Sequence, residues 1–143
     1  MHLSSILLLV LPLATLANPD GNLEATRLMI LLKDSIDLQQ IDALSGFTDP
    51  NFSWNSCKAV LDYGKYVAML KLLSHREPGD IPAISTDWTV GNAHFIHETL
   101  YFDVQNKNRR IPDWFFEAKK HGKNKVYVLT RGKLSKCGRL EEV

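Results

Sequence analysis

The stretch His94-Phe95-Ile96-His97-Glu98-Thr99-Leu100-Tyr101-Phe102-Asp103-Val104 carries the clearest alternation in the chain. In an extended strand successive side chains point to opposite faces. Ile96, Leu100, Phe102 and Val104 then share one face, and His97, Thr99, Tyr101 and Asp103 the other. The pattern predicts a half-buried strand over 94–104. Working outward, residues 58–63, 66–73, 87–90, 114–118 and 125–130 are also apolar, β-prone runs bounded by turn formers. In the run 66–73, Val67, Met69 and Leu73 fall on one face if it is extended, and Tyr63-Gly64-Lys65 before it reads as a turn or bulge. Residues 77–82 and 119–124 have the composition of loops, the latter suited to a hairpin.

Six short strands between residues 57 and 134, at spacings of roughly 8–15 residues, predict a mainly β fold: a small antiparallel six-stranded β-sandwich or barrel. Ahead of it lies a partly helical extension. Leu28 to Leu32 reads equally as a buried strand or a turn-rich helix. Ile36, Leu38, Ile41 and Leu44 suit a short amphipathic helix that Ser35 or Asp34 caps and Gly46 ends.

The first residues serve targeting. Residues 6–16 are an almost unbroken apolar run followed by Ala17, too short for a membrane span of about 20 residues and matching a secretory signal peptide. The expected organisation is a signal peptide over 1–17, an N-terminal extension over 18–56 and a β-sandwich domain over 57–143. The protein is expected to be secreted, with no membrane contact and a monomeric state. At 143 residues, 45% hydrophobic and 23% charged, the chain is neither disordered nor of low complexity and has room for one core. In an oxidising compartment its two cysteines, Cys57 and Cys137, are expected to form one disulfide staple. Asn51-Phe52-Ser53 is a glycosylation sequon among turn residues, which places it in an exposed loop.

Charge is unevenly distributed. Residues 107–139 hold eleven Lys and Arg against Asp113 and Glu117, whereas residues 18–106 hold six basic and twelve acidic residues. A basic C-terminal hairpin carrying Lys123, Lys125, Arg131 and Lys133 would steer acidic partners, nucleic acid among them. The same lysines would equally guard an exposed strand edge. Trp114, behind a rigid Pro-Asp entry, and Tyr127 on the hairpin complete the candidate binding set; for each tryptophan the competing role is core packing.

Catalytic constellations are weak. A histidine and a carboxylate beside a basic patch would suit a ribonuclease, but His97 and Glu98 are adjacent on the expected strand and point apart. His94 and His97 do not converge as metal ligands, and no phosphate loop or nucleophile elbow is present. No catalytic residue, metal or cofactor is assigned.

The run Cys57-Lys58-Ala59-Val60-Leu61-Asp62-Tyr63-Gly64, the apolar segment 66–73 and the strand entry Pro112-Asp113-Trp114-Phe115-Phe116 resemble the MAX effectors, small secreted β-sandwich proteins of plant-pathogenic fungi. The resemblance implies a non-enzymatic virulence or avirulence protein, translocated into host cells, that binds a host plant protein and modulates immunity. Its partner would be a small metal-binding-like domain or an immune receptor, met through an edge strand and the basic hairpin. The alternative is a secreted ribonuclease-like or RNA-binding protein.

Overall fold

The structure, a computed structural model, describes residues 21–75, 87–107, 112–122 and 126–135. Helix α1 spans Gly21–Asp37 and buries Ala25, Leu28, Met29, Leu32 and Ile36, a stripe at spacings of three and four that faces the sheet. It takes in Leu28 to Leu32 and, of the second expected segment, only Ile36. Ser35 is not a cap: its hydroxyl donates to the Leu31 carbonyl inside the helix at 2.8 Å. Gly21 sets the close approach of the helix start to the sheet, because a Cβ there would stand 3.1 Å from the Ala93 carbonyl. A 3-10 helix over Ile41–Gly46 then turns the chain, burying Ile41 and Leu44.

Strand β1 follows at Thr48–Asn55 and β2 at Val60–Asp62. Asn51 is exposed on β1 rather than in a loop, and its neighbour Phe52 is buried in the core. Helix α2 occupies Tyr63–Ser74. This corrects the expectation of a strand over 66–73. The Asp62 carboxylate accepts from the Lys65 backbone N–H at 2.9 Å and starts the helix. Tyr66, Leu70 and Ser74 then recur every four residues on the buried side. The run is apolar enough to hide that period behind a strand-like composition.

Four longer strands complete the sheet: β3 at Trp88–Ile96, β4 at Thr99–Asn106, β5 at Trp114–His121 and β6 at Val126–Leu134. The expected single strand over 94–104 is therefore a hairpin. It turns at His97, whose φ of 55° lies in the left-handed region. Leu100, Phe102 and Val104 share the buried face as the alternation requires. Ile96, paired with Thr99, lies on the other side of the turn and is exposed, because a two-residue turn resets the parity.

The six strands form one sheet in the order β2-β1-β6-β5-β4-β3, antiparallel throughout except for the parallel pair β1–β6. The helices cover one face of it. The core gathers Leu28, Leu32 and Ile36 from α1 with Phe52, Phe102, Phe116 and Leu129 from the sheet. Arg27 ties α1 to β6 by donating from Nη2 to the Tyr127 carbonyl at 3.0 Å. Residues 21–56 thus supply a helix and a non-edge strand of the same core. The expected signal peptide and the loop 77–82 lie outside the described residues.

Candidate functional site

Between α1, α2 and the inner face of the sheet lies a cavity of about 240 Å³. Helix α1 contributes Leu32 and Ile36 to its wall, and α2 contributes Tyr66, Met69, Leu70 and Leu73. The sheet side is aromatic. Trp54 of β1 stacks on Tyr66 at 5.3 Å between ring centroids and meets the edge of Trp114 at 6.1 Å. Trp114 in turn packs on Trp88 at 5.1 Å, so three tryptophans form a chain across the sheet, with the first two lining the cavity. Pro112 and Leu134 close the rim beside Ser56, whose hydroxyl donates to the Ala59 carbonyl at 3.0 Å.

No described residue of this lining is ionisable in the physiological range. Its distinctive polar group is the Tyr66 phenol. Tyr66 is buried, and burial pushes its pKa well above the ordinary value, so the hydroxyl stays a neutral donor. That hydroxyl makes no hydrogen bond to the protein. The enclosed polar side-chain atoms without a partner, among the described residues, are Thr48 Oγ1 and Asn106 Oδ1, not the Tyr66 oxygen. The phenol oxygen is therefore not sealed off, and its ring lines the cavity. The indole N–H groups of Trp54 and Trp114, in the same wall, also make no hydrogen bond to the protein. An apolar wall with a phenol and two indoles as donors gives the chemistry of a small-molecule pocket.

The residues expected to bind from sequence are scattered. Trp114 is in the cavity wall. Tyr127 is buried elsewhere, against Phe95 at 5.6 Å, with the Lys120 ammonium 5.7 Å from its ring centroid. Burial, then the negative charges of Glu98 and Glu24, raise its pKa. Arg131 and Lys133 lie on the opposite face of the sheet from the cavity. Arg131 pairs with Glu117 at 3.1 Å, and Lys133 sits over the Phe115 ring at 5.2 Å. Lys123, Lys125 and Cys137 are outside the described residues. Cys57 is not a free thiol; it occupies the turn between β1 and β2 at φ 74° rather than a strand, and no disulfide lies wholly within the described residues.

The histidines do not assemble acid–base machinery. His94 stacks on Tyr101 at 5.8 Å and its Nδ1 lies 2.7 Å from the Asn92 carbonyl, while His97 and Glu98 form the exposed β3–β4 turn. Sequence reasoning missed Trp54 and Tyr66 as cavity residues. The available signal was Asp62 followed by Tyr66, Met69, Leu70 and Leu73 at helical spacing.

No protein-family model and no curated protein matches the chain. Among solved structures it is similar to a five-substitution variant of Rd1NTF2_05 (TM-score 0.59, 18% identity, covering 80% of this chain and 98% of that one). It is similar to an NTF2-like protein of unknown function from Silicibacter pomeroyi (TM-score 0.57, 13% identity, 77% and 90% covered). A candidate ketosteroid isomerase from Shewanella frigidimarina is comparably close (TM-score 0.54, 10% identity, 78% and 94% covered). At these identities the likeness is one of fold, and the fold is NTF2-like α+β. It corrects the resemblance to MAX effectors, which rested on a strand over 66–73 and on Cys57 lying in a strand. The effector reading, with its virulence and plant-immunity roles, loses that basis. The ribonuclease-like alternative also lacks support, since His97 and Glu98 share only an exposed turn.

Proposed function

We propose that the chain is a binding protein for a small, neutral, largely apolar molecule carrying one hydrogen-bond acceptor, held between α1, α2 and the sheet. The observation that supports this is an apolar, aromatic cavity wall in which the Tyr66 phenol has no protein partner, beside the indole N–H groups of Trp54 and Trp114. A cavity of about 150 Å³ lined by aliphatic and aromatic groups suffices for benzene. One of about 240 Å³ accommodates a two-ring molecule. Burial of the ligand's apolar surface supplies affinity at about 25 cal/mol per Å², and the phenol selects orientation. Binding is favoured over isomerisation because ketosteroid isomerisation uses a carboxylate base, and no described residue of the cavity wall is Asp, Glu or His. The apolar leader over 6–16 makes export the setting in which we place this activity.

The test is calorimetric titration with 1-tetralone, a neutral two-ring ketone, and with tetralin, which lacks the carbonyl. Saturable binding of both is expected. Tyr66→Phe should weaken tetralone about 2- to 10-fold, the net worth of one hydrogen bond, and leave tetralin unchanged. Leu73→Phe, which fills the cavity, should reduce both. Absence of saturable heat with wild-type protein, or indifference of binding to both variants, overturns the proposal.

A further inference from the structure

A second cavity, of about 300 Å³, opens on the other face of the sheet, and the register of four strands builds it. Along one row Tyr101 of β4 faces Glu117 of β5, Glu117 faces Arg131 of β6, and Arg131 faces Ser53 of β1. Along the next row Phe115 faces Lys133, and Lys133 faces Asn55. Side chains two residues apart on a strand share a face, so both rows project outward together. They are displaced by one residue from Trp54, Trp114 and Phe116, which point into the core.

The groups converging there have unspent bonding capacity. Arg131 uses Nε on the Glu117 carboxylate at 3.1 Å, and its Nη groups make no bond to the protein. Glu117 is itself buried and fixed from its other side by the Thr130 hydroxyl, which donates to Oε2 at 2.9 Å. The guanidinium is thereby anchored with its outer edge free. Lys133 has no carboxylate partner; its ammonium stands 5.2 Å from the Phe115 ring centroid. The Tyr101 and Ser53 hydroxyls are without protein hydrogen bonds. Phe115 and Val60 supply an apolar floor, and Val60 is two thirds exposed.

We propose that this outer cavity is a binding site for a small aromatic or aliphatic carboxylate, separate from the apolar cavity and independent of its ligand. The carboxylate is held by Arg131 and Lys133, and the apolar part rests on Phe115 and Val60. Guanidinium and ammonium donors make strong charge-assisted bonds to such a group. The two rows also carry Asp62, opposite Ser53, and Asp103, opposite Phe115. Both lie outside the cavity lining and accept from the Lys65 N–H and the Asn92 amide, respectively. Within the lining, two cations against the Glu117 carboxylate therefore match a monoanion. A dianion such as phosphate would be left with excess negative charge beside Glu117.

The test follows backbone amide shifts in labelled full-length protein on titration with benzoate, with benzamide as its neutral counterpart and with inorganic phosphate. Benzoate is expected to saturate with shifts centred on Ser53, Phe115, Arg131 and Lys133, and benzamide to bind at least about tenfold more weakly. The double variant Arg131→Met, Lys133→Met should lose benzoate binding while keeping its 1-tetralone binding, with a lowered melting temperature because buried Glu117 loses its cation. Equal binding of benzamide, preference for phosphate, shifts located elsewhere, or full benzoate binding by the folded double variant overturns the proposal. If the double variant does not fold, Lys133→Met alone must weaken benzoate and spare benzamide for the proposal to stand.

Discussion

Gly132 of β6 lies against the indole of Trp54 on the neighbouring parallel strand: a Cβ on Gly132 would stand 2.6 Å from Trp54 Cε3 and 2.9 Å from Phe116 Cε1. The absent side chain is what lets Trp54 lie flat in the cavity wall, stacked on Tyr66. The two residues face each other in the β1–β6 register, so the glycine's lack of a side chain shapes the candidate ligand site.

Gly132→Ala should therefore push Trp54 toward the cavity. Overpacking of this kind costs about 1–3 kcal/mol. The expected outcome is a lower urea midpoint with an unchanged slope, together with weakened 1-tetralone binding. A variant with wild-type midpoint and wild-type binding would show that Trp54 moves aside freely.

Asp62→Ala removes the N-cap of α2, where the carboxylate accepts from the Lys65 N–H. About 1 kcal/mol of stability should be lost, and Asp62→Asn should retain most of it. Because α2 carries Tyr66, Met69, Leu70 and Leu73, fraying at its start should also weaken tetralone binding. Denaturation and calorimetry on the two variants check both effects.

Alkaline pH should destabilise the fold through Tyr66. Burial holds its folded pKa above the ordinary value of 10.0, so the unfolded chain releases the proton first. Stability is full below pH 10 and is lost as pH rises from there toward the raised folded value, by up to about 1.4 kcal/mol per pH unit. Tyr66→Phe should flatten this slope in urea denaturation between pH 9 and pH 11. It should not abolish it, because burial also raises Tyr63 and Tyr127. An identical slope in the variant would contradict the assignment.

Arg27→Met should cost about 1 kcal/mol, because it strips the Tyr127 carbonyl of a charged donor and loosens α1 from β6. Glu24→Gln should cost less than about 0.5 kcal/mol, since its pair with Arg27 is partly exposed and lies within one helix. Amide exchange along α1 should quicken in the first variant and stay near wild type in the second.

The legible parts of the fold were those where one residue's neighbours along the chain decide its environment. Leu100, Phe102 and Val104 alternate with partly exposed Tyr101 and Asp103, and a strand with one buried face follows from that alone. The β-prone entry at Trp114 likewise begins β5. The reading failed where two periods fit the same letters. Tyr66 to Leu73 satisfies a strand by composition and a helix by spacing, and the Asp62 cap resolves it. At His97 the chain turns without Gly or Pro, so alternation alone places Ile96 on the wrong face. The long α1 was also hidden, because Asp34 and Ser35 interrupt its apolar stripe while helical geometry tolerates both.

The sequence by itself determined a mainly β chain, because composition and alternation are local properties of a strand. The tertiary structure alone decided the parallel pairing of β1 with β6, and with it both cavities. Leu32, Trp54, Tyr66, Trp114 and Leu134 line one wall although more than a hundred residues separate the first from the last. Arg131 and Lys133 meet Ser53 and Asn55 only through that same pairing. Local periodicity states which face of an element is apolar; which two faces meet is decided by the burial of all of them at once.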